Sequence, residues 1–284
     1  MAFINTIISM VLVPLFFCPY LPFVQIAKII YPEKEVISLS ENGVGSAEDP
    51  VYLTAHRGIT AVAPENTLPS YEKAVELGFY SAECDIQLTS DGYWVLNHNS
   101  DTDKMFCQYS EIAETTLEEL RSYRYKYGAN FWQEGLKIAT LDEYLDVFVG
   151  TSTRPQIEIK TNGNNKLDVV VDELIERDMC DQAIIISFDI DQLKAVHEYA
   201  SAKGYEIELW YLCDEITDDV IATANSVGGK MRLSASYEQN TTASIQKALD
   251  AGIGVSLWTV NTVEDAKMLY DMGVRYMETD ILCN

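Results

Sequence analysis

The chain has 284 residues, 48% of them hydrophobic. That is enough for one large domain with a substantial core, and about 250 residues is a typical size for a single α/β barrel. Its 44 acidic and 20 basic residues give a formal net charge of -24. This argues against nucleic acid or an anionic membrane surface as a partner of the general surface, so an anionic substrate must be held by local positive charge. Six scattered cysteines without a Cys-x-x-Cys pair do not form a disulfide framework, and they favour a reducing compartment.

Residues 2–27 carry no charged side chain, a run longer than the roughly 20 apolar residues that a membrane-spanning helix needs. The first reading of residues 1–34 is therefore a hydrophobic membrane anchor, with the protein membrane-associated through it. Pro14, Pro19 and Pro22 work against a straight helix and leave a kinked or re-entrant segment as a variant of this reading. Lys28 and Lys34 alternate with Glu33 and Glu35, so the sequence does not specify an orientation. The alternative is a signal-like segment and a secreted protein, although no Lys or Arg precedes the apolar run and no small-x-small cleavage site follows. Residues 35–50 turn polar, which predicts a linker or a loosely packed lead-in, and residues 51–284 form the folded domain.

Beyond Pro50 short apolar runs alternate with amphipathic segments. Strands are predicted at 51–55, 80–87, 156–160, 183–187, 206–212, 231–235, 254–260 and 276–279, and helices at 67–77, 141–148, 166–177, 190–202, 214–225, 241–251 and 263–272. Eight strands alternating with helices predict an α/β fold, the closed (β/α)8 TIM barrel. One irregularity stands out: residues 91–139 are inserted after the second strand, where long insertions build over the catalytic end.

In such a barrel the site is built at the carboxyl ends of the strands. The first strand ends Thr54-Ala55-His56-Arg57-Gly58, which supplies an imidazole and a guanidinium. The second carries Glu83 and Asp85, which stand two apart and so share a face. Carboxylates held that close call for a positive partner, usually a hard divalent cation. The Asp91-Gly92 turn and a short strand lead to His98. The third strand reads Ile157-Glu158-Ile159-Lys160, with both charges on one face. A solvated acidic strand and a structural ion-pair network are the plainer alternatives. Mixed charges from three strands make better sense if they neutralise a bound ion and its ligand. Three carboxylates suit one Ca²⁺ or Mg²⁺, and Arg57 and Lys160 suit a phosphate. His197 falls inside a helix and reads as an ordinary helix residue, while Cys84, between the carboxylates, faces the opposite side and packs.

His56-Arg57-Gly58, Pro64-Glu65-Asn66-Thr67, Glu83-x-Asp85, Thr89-x-Asp91-Gly92, His98, Glu158-Ile159-Lys160, Ser187-Phe188-Asp189, Trp258-Thr259-Val260-Asn261 and Thr279-Asp280 occur in one order along the chain. Together they resemble the motif series of the glycerophosphodiester phosphodiesterase family, over residues 51–280. The resemblance implies a (β/α)8 barrel and metal-dependent hydrolysis of glycerophosphodiesters to glycerol 3-phosphate and an alcohol. It implies His56 and His98 as an acid/base pair and Glu83, Asp85 and Glu158 as ligands of one divalent cation. Arg57 and Lys160 would contact phosphoryl oxygens, and Glu65, Asn66 and Trp258 would line the pocket.

Three departures stand beside the resemblance. Asn99 follows His98 where the family usually carries Asp, and Lys104 stands near the place of a common arginine. The last strand is followed only by residues up to Asn284, where the family adds a helix, and the amino-terminal segment is the candidate cover for that gap. Two other functions compete with the first: a membrane-lipid phosphodiesterase of phospholipase C or D type on the same barrel, and a non-catalytic barrel that binds a phosphorylated ligand. The paired histidines argue against the second of these.

Overall fold

The computed structural model describes residues 35–126, 136–160, 166–229 and 231–284. The membrane-anchor expectation for residues 1–34 lies outside them.

Eight parallel strands form the predicted closed barrel: β2 (Tyr52–Ala55), β3 (Ser81–Leu88), β5 (Arg154–Ile159), β6 (Ile184–Ser187), β7 (Glu208–Cys213), β8 (Met231–Ser236), β9 (Val255–Trp258) and β10 (Tyr276–Thr279). Closure is made by β2, which pairs with β10 on one side and β3 on the other, Thr54 opposite both Glu278 and Ser81. Alternation explains the two faces of each strand. On β3, Ala82, Cys84 and Ile86 are fully buried in the outer core, and Glu83 and Asp85 therefore face the barrel interior.

The crossovers carry α1 (Leu68–Glu76), α2 (Leu117–Leu120), α3 (Leu141–Asp146), α4 (Leu167–Glu176), α5 (Ile190–Ala202), α6 (Asp218–Val227), α7 (Thr242–Asp250) and α8 (Val263–Asp271). Thr116, Thr140, Asp189, Thr217, Thr241 and Thr262 cap these helices through their side-chain oxygens. The sixth begins four residues later than the sequence predicts. Thr217 caps it, while Asn240 accepts from the Ile216 N–H and donates to the Asp214 carbonyl, holding 214–216 out of the helix.

The insertion adds β4 (Trp94–Leu96), antiparallel to β3 with Ile86 opposite Leu96. Val95, Phe106, Ile112, Leu120, Tyr125 and Ile138 give it a small core of its own. The lead-in expected as a linker is packed. Its β1 (Ile37–Ser38) pairs in parallel with β11 (Leu282–Cys283), which follows β10 directly, and Leu39 and Val44 are buried in the main core.

The two ends of the barrel differ in chemistry. At the amino end Tyr52, Tyr80 and Tyr276 stack with ring centroids 4.8 to 5.6 Å apart, and Glu208 lies 2.8 Å from both Arg154 and Arg232. This closes the amino end, and the predicted site residues gather at the carboxyl end.

Candidate active site

His56 leaves the end of β2, and the chain turns at once through Arg57 (φ 56°) and Gly58 (φ 78°). A side chain at Gly58 would collide with Ser70, 2.1 Å from its Oγ and 2.9 Å from its backbone carbon, so this turn requires glycine. The turn is pinned across the barrel by the Arg57 N–H, which donates to Glu83 Oε2 at 2.8 Å.

Glu83, Asp85 and Glu158 meet as the sequence predicts. One oxygen from each lies within 4.8 Å of the others, and the three residues are 1%, 1% and 7% exposed. Asn66 fixes the middle one from both ends: its Nδ2 donates to Asp85 Oδ2 at 2.8 Å, and its Oδ1 accepts from the Asp85 N–H at 3.1 Å and from Tyr71 OH at 2.9 Å. Asp85 Oδ1 is buried without a hydrogen bond. Lys160 Nζ stands 3.2 Å from that oxygen and 2.8 Å from Glu158 Oε1.

Burial and the neighbouring carboxylates Asp85, Glu278 and Glu158 push the Glu83 carboxyl well above its ordinary range. Burial and the Asp85 charge push Glu158 up as well. Burial also opposes the charge on Asp85, yet Lys160 and Arg57 outweigh it and hold that carboxyl low. Burial and mutual repulsion thus oppose ionisation of all three carboxylates together, even beside Arg57 and Lys160. The unbonded Asp85 oxygen and the all-oxygen donor set fit a hard divalent cation.

The two predicted histidines face the same cavity, of about 140 Å³, with Arg57, Glu158, Lys160 and Trp258 also in its wall. His56 Nδ1 lies 2.9 Å from Asp280 Oδ1. Burial works against its imidazolium, but the Asp280 bond and the Glu278 charge prevail and raise its pKa. His98 is set beside β3 by its neighbours: the Asn97 N–H donates to the Asp85 carbonyl at 3.0 Å, and Gln87 Nε2 donates to the His98 carbonyl at 3.1 Å. Its Nδ1 lies 2.9 Å from Asn99 Oδ1. Burial, with Lys160 and Arg57 nearby, lowers its pKa despite the Asp85 charge.

Two residues expected to line the pocket stand behind it. Asn66 holds Asp85, as above, and Glu65 links Lys104, at 2.7 Å, to Arg57, at 3.4 Å. Trp258 is in the wall as expected, edge-on to Phe188 with centroids 6.2 Å apart. Sequence reasoning gave no role to Glu278 and Asp280. The signal was available, because Tyr276, Glu278 and Asp280 alternate with Met277 and Thr279 at the strand period of two. His197 lies within α5, away from this cavity. A larger cleft of about 540 Å³ beside the insertion is lined by Trp94, Arg121 and Glu143 among others, without a histidine, so its size does not mark the chemistry.

Known proteins share this fold. The sequence pattern of the glycerophosphoryl diester phosphodiesterase family matches residues 56–282. A glycerophosphodiester phosphodiesterase of Caldanaerobacter subterraneus subsp. tengcongensis is 28% identical, over 80% of this chain and 93% of its own. One from Bacillus subtilis (strain 168) is 25% identical, over 84% of this chain and 86% of its own. Among solved structures, an Oleispira antarctica phosphodiesterase in complex with the product sn-glycerol-3-phosphate superposes with a TM-score of 0.71 at 22% identity, covering 86% of this chain and 96% of its own. A putative glycerophosphoryl diester phosphodiesterase from Silicibacter pomeroyi DSS-3 gives 0.70 at 24% identity, covering 84% and 93%. Likeness at these identities shows the shared barrel, and the match over residues 56–282 shows the kinship: the chain belongs to the glycerophosphoryl diester phosphodiesterase family of phosphoric diester hydrolases.

Proposed function

We propose that this protein hydrolyses glycerophosphodiesters to glycerol 3-phosphate and an alcohol, with Glu83, Asp85 and Glu158 holding one Ca²⁺ or Mg²⁺. The observation that carries the reading is the pair of imidazoles on one small cavity, shifted in opposite directions beside a three-carboxylate cluster. Groups whose environments drive their pKa values apart divide acid from base work.

His98, held neutral, accepts the proton of the attacking oxygen. His56, kept protonated against Asp280, donates to the leaving alcohol. Each such transfer typically contributes about 100-fold to 10,000-fold. Arg57 grips phosphoryl oxygens as a planar fork and Lys160 as a point charge, each exchanging a carboxylate contact for the substrate. A bound divalent cation supplies further positive charge to the phosphoryl group. Trp258 gives the wall an apolar side for the carbon skeleton. The uncharged run at residues 2–27 supports membrane attachment through residues 1–34. Among the described residues no helix is long and apolar enough to cross a membrane.

The test is release of glycerol 3-phosphate from glycerophosphocholine, glycerophosphoethanolamine and glycerophosphoglycerol by the full chain, in EDTA and after Ca²⁺ or Mg²⁺ is restored. Release that depends on the cation supports the reading. Full activity in the chelator would remove the metal from it, and a folded, metal-loaded protein inert on all three substrates would remove the reaction.

A further inference from the structure

Glu278 takes no part in the scheme above, and its surroundings leave it short of partners. It sits on β10 with 3% exposure, in the wall of the cavity. Among the described residues its side chain takes one hydrogen bond, from Gln156 Nε2, 3.1 Å from Oε2. Among the described residues its other oxygen accepts none, and no lysine or arginine forms an ion pair with it. Burial pushes its carboxyl up despite the charges of His56 and Arg57, and a carboxylate this deeply buried with one neutral donor has room for a further positive partner.

Two other donors point to the same place. One ligand atom each of His56, Glu83 and Glu278 lie within 4.8 Å of one another. Glu83 commits Oε2 to the Arg57 N–H, and among the described residues no hydrogen bond engages its Oε1. His56 commits Nδ1 to Asp280, and a carboxylate can only accept, so Nδ1 carries the proton and Nε2 presents a lone pair when the ring is neutral. An imidazole whose far nitrogen is held by a carboxylate has the outer support that metal-binding histidines have. This donor set differs from Glu83, Asp85 and Glu158 by one imidazole in place of a carboxylate, which shifts preference from Ca²⁺ and Mg²⁺ towards Zn²⁺, Mn²⁺ or Co²⁺.

We propose that His56, Glu83 and Glu278 form a second cation site that takes a borderline divalent ion such as Zn²⁺, shares Glu83 with the all-carboxylate set, and when filled removes His56 from proton transfer. The inhibitory clause rests on the reading of His56 as the acid; the binding site does not.

Cobalt distinguishes the two sites, because only the second contains an imidazole. Proton NMR of the full chain with two equivalents of Co²⁺ is expected to show one strongly shifted, solvent-exchangeable imidazole N–H signal, lost in both Glu278→Gln and His56→Ala. Zn²⁺ is expected to inhibit Ca²⁺- or Mg²⁺-supported hydrolysis. Glu278→Gln should raise the half-inhibiting concentration by at least the roughly 10-fold to 100-fold that even an outer-shell partner contributes to a metal site. Absence of the imidazole signal in the unmodified protein overturns the site, and equal Zn²⁺ sensitivity in Glu278→Gln overturns the inhibition. A clear imidazole signal from a protein that releases no glycerol 3-phosphate with any cation supports the site and refutes the hydrolytic reading instead.

Discussion

Asp280 accepts a hydrogen bond from His56 Nδ1 at 2.9 Å, and is itself fixed by Thr60 Oγ1 at 3.2 Å and Asn261 Nδ2 at 2.8 Å. The carboxylate thus sets which nitrogen of His56 is protonated, leaves the other with the lone pair of the neutral ring, and favours the charged ring. Burial works against its charge, but the bonds from His56, Asn261 and Thr60 prevail and hold the Asp280 carboxyl down at about 2, so it stays ionised across the neutral range.

Asp280→Asn keeps the shape and removes the charge. We expect kcat to fall by about 100-fold to 10,000-fold, the range of a lost proton-transfer partner. The pH profile gives the sign. An acid must hold its proton, so activity falls as pH rises through the His56 pKa; that pKa is raised in part by Asp280, and its loss should move the alkaline limb to lower pH. An alkaline limb that stays in place would show that His56 is not the acid.

Asn99→Asp probes the other imidazole in the opposite sense. His98 is held below its ordinary range mainly by burial, and Asn99 meets its Nδ1 with a neutral oxygen. A base must be unprotonated, so activity falls as pH drops through the His98 pKa. A carboxylate at position 99 stabilises the imidazolium and should move the acid limb to higher pH, leaving the alkaline limb alone. The measurement is kcat/KM against pH for both proteins.

The barrel was legible because each of its strands has an apolar outer face and Gly or polar residues at its ends; all eight fell within a few residues of their expected places. Glu83, Asp85 and Glu158 were legible for a related reason, since charged residues alternating with Ala, Cys and Ile have only the barrel interior to face. Glu65 and Asn66 were not. A motif records which residues recur together, and the side chain that grips a ligand is not distinguished there from the one that grips the ligand's holder. The lead-in misled through composition, because its polar residues concealed Leu39 and Val44, which depend on β11 from the far end of the chain for their place in the core.

Asn66→Ala should separate positioning from direct contact. The change leaves the Asp85 N–H and Tyr71 OH buried without partners and frees the Asp85 carboxyl to turn, a loss of about 2–3 kcal/mol at the usual cost of unsatisfied groups. Because Asp85 is the middle carboxylate, the Ca²⁺ concentration for half-maximal activity should rise by about 10-fold to 100-fold. Saturating Ca²⁺ should restore most of kcat. A pocket-lining role would instead raise KM for substrate, with the Ca²⁺ requirement unchanged.

Glu208→Ala tests the independence of the two ends of the barrel. Glu208 balances Arg154 and Arg232, each 2.8 Å away, and its Oε1 also accepts from Trp210 Nε1, also at 2.8 Å. Removing it leaves two guanidiniums facing the tyrosine stack with no carboxylate between them. Breaking a fully buried pair costs about 3–5 kcal/mol. Arg232 is 31% exposed and can turn to water, so about 2 kcal/mol is the expected loss, a fall in Tm of roughly 4–8 °C for a domain of this size. Arg154 begins β5 and Arg232 stands second on β8, at the amino ends of their strands, whereas His56 follows the carboxyl end of β2. Below the new Tm, kcat and the metal requirement should therefore match the unmodified protein. A fall in kcat without a fall in Tm would mean that the lower end is coupled to the site, against the division of labour that the barrel displays.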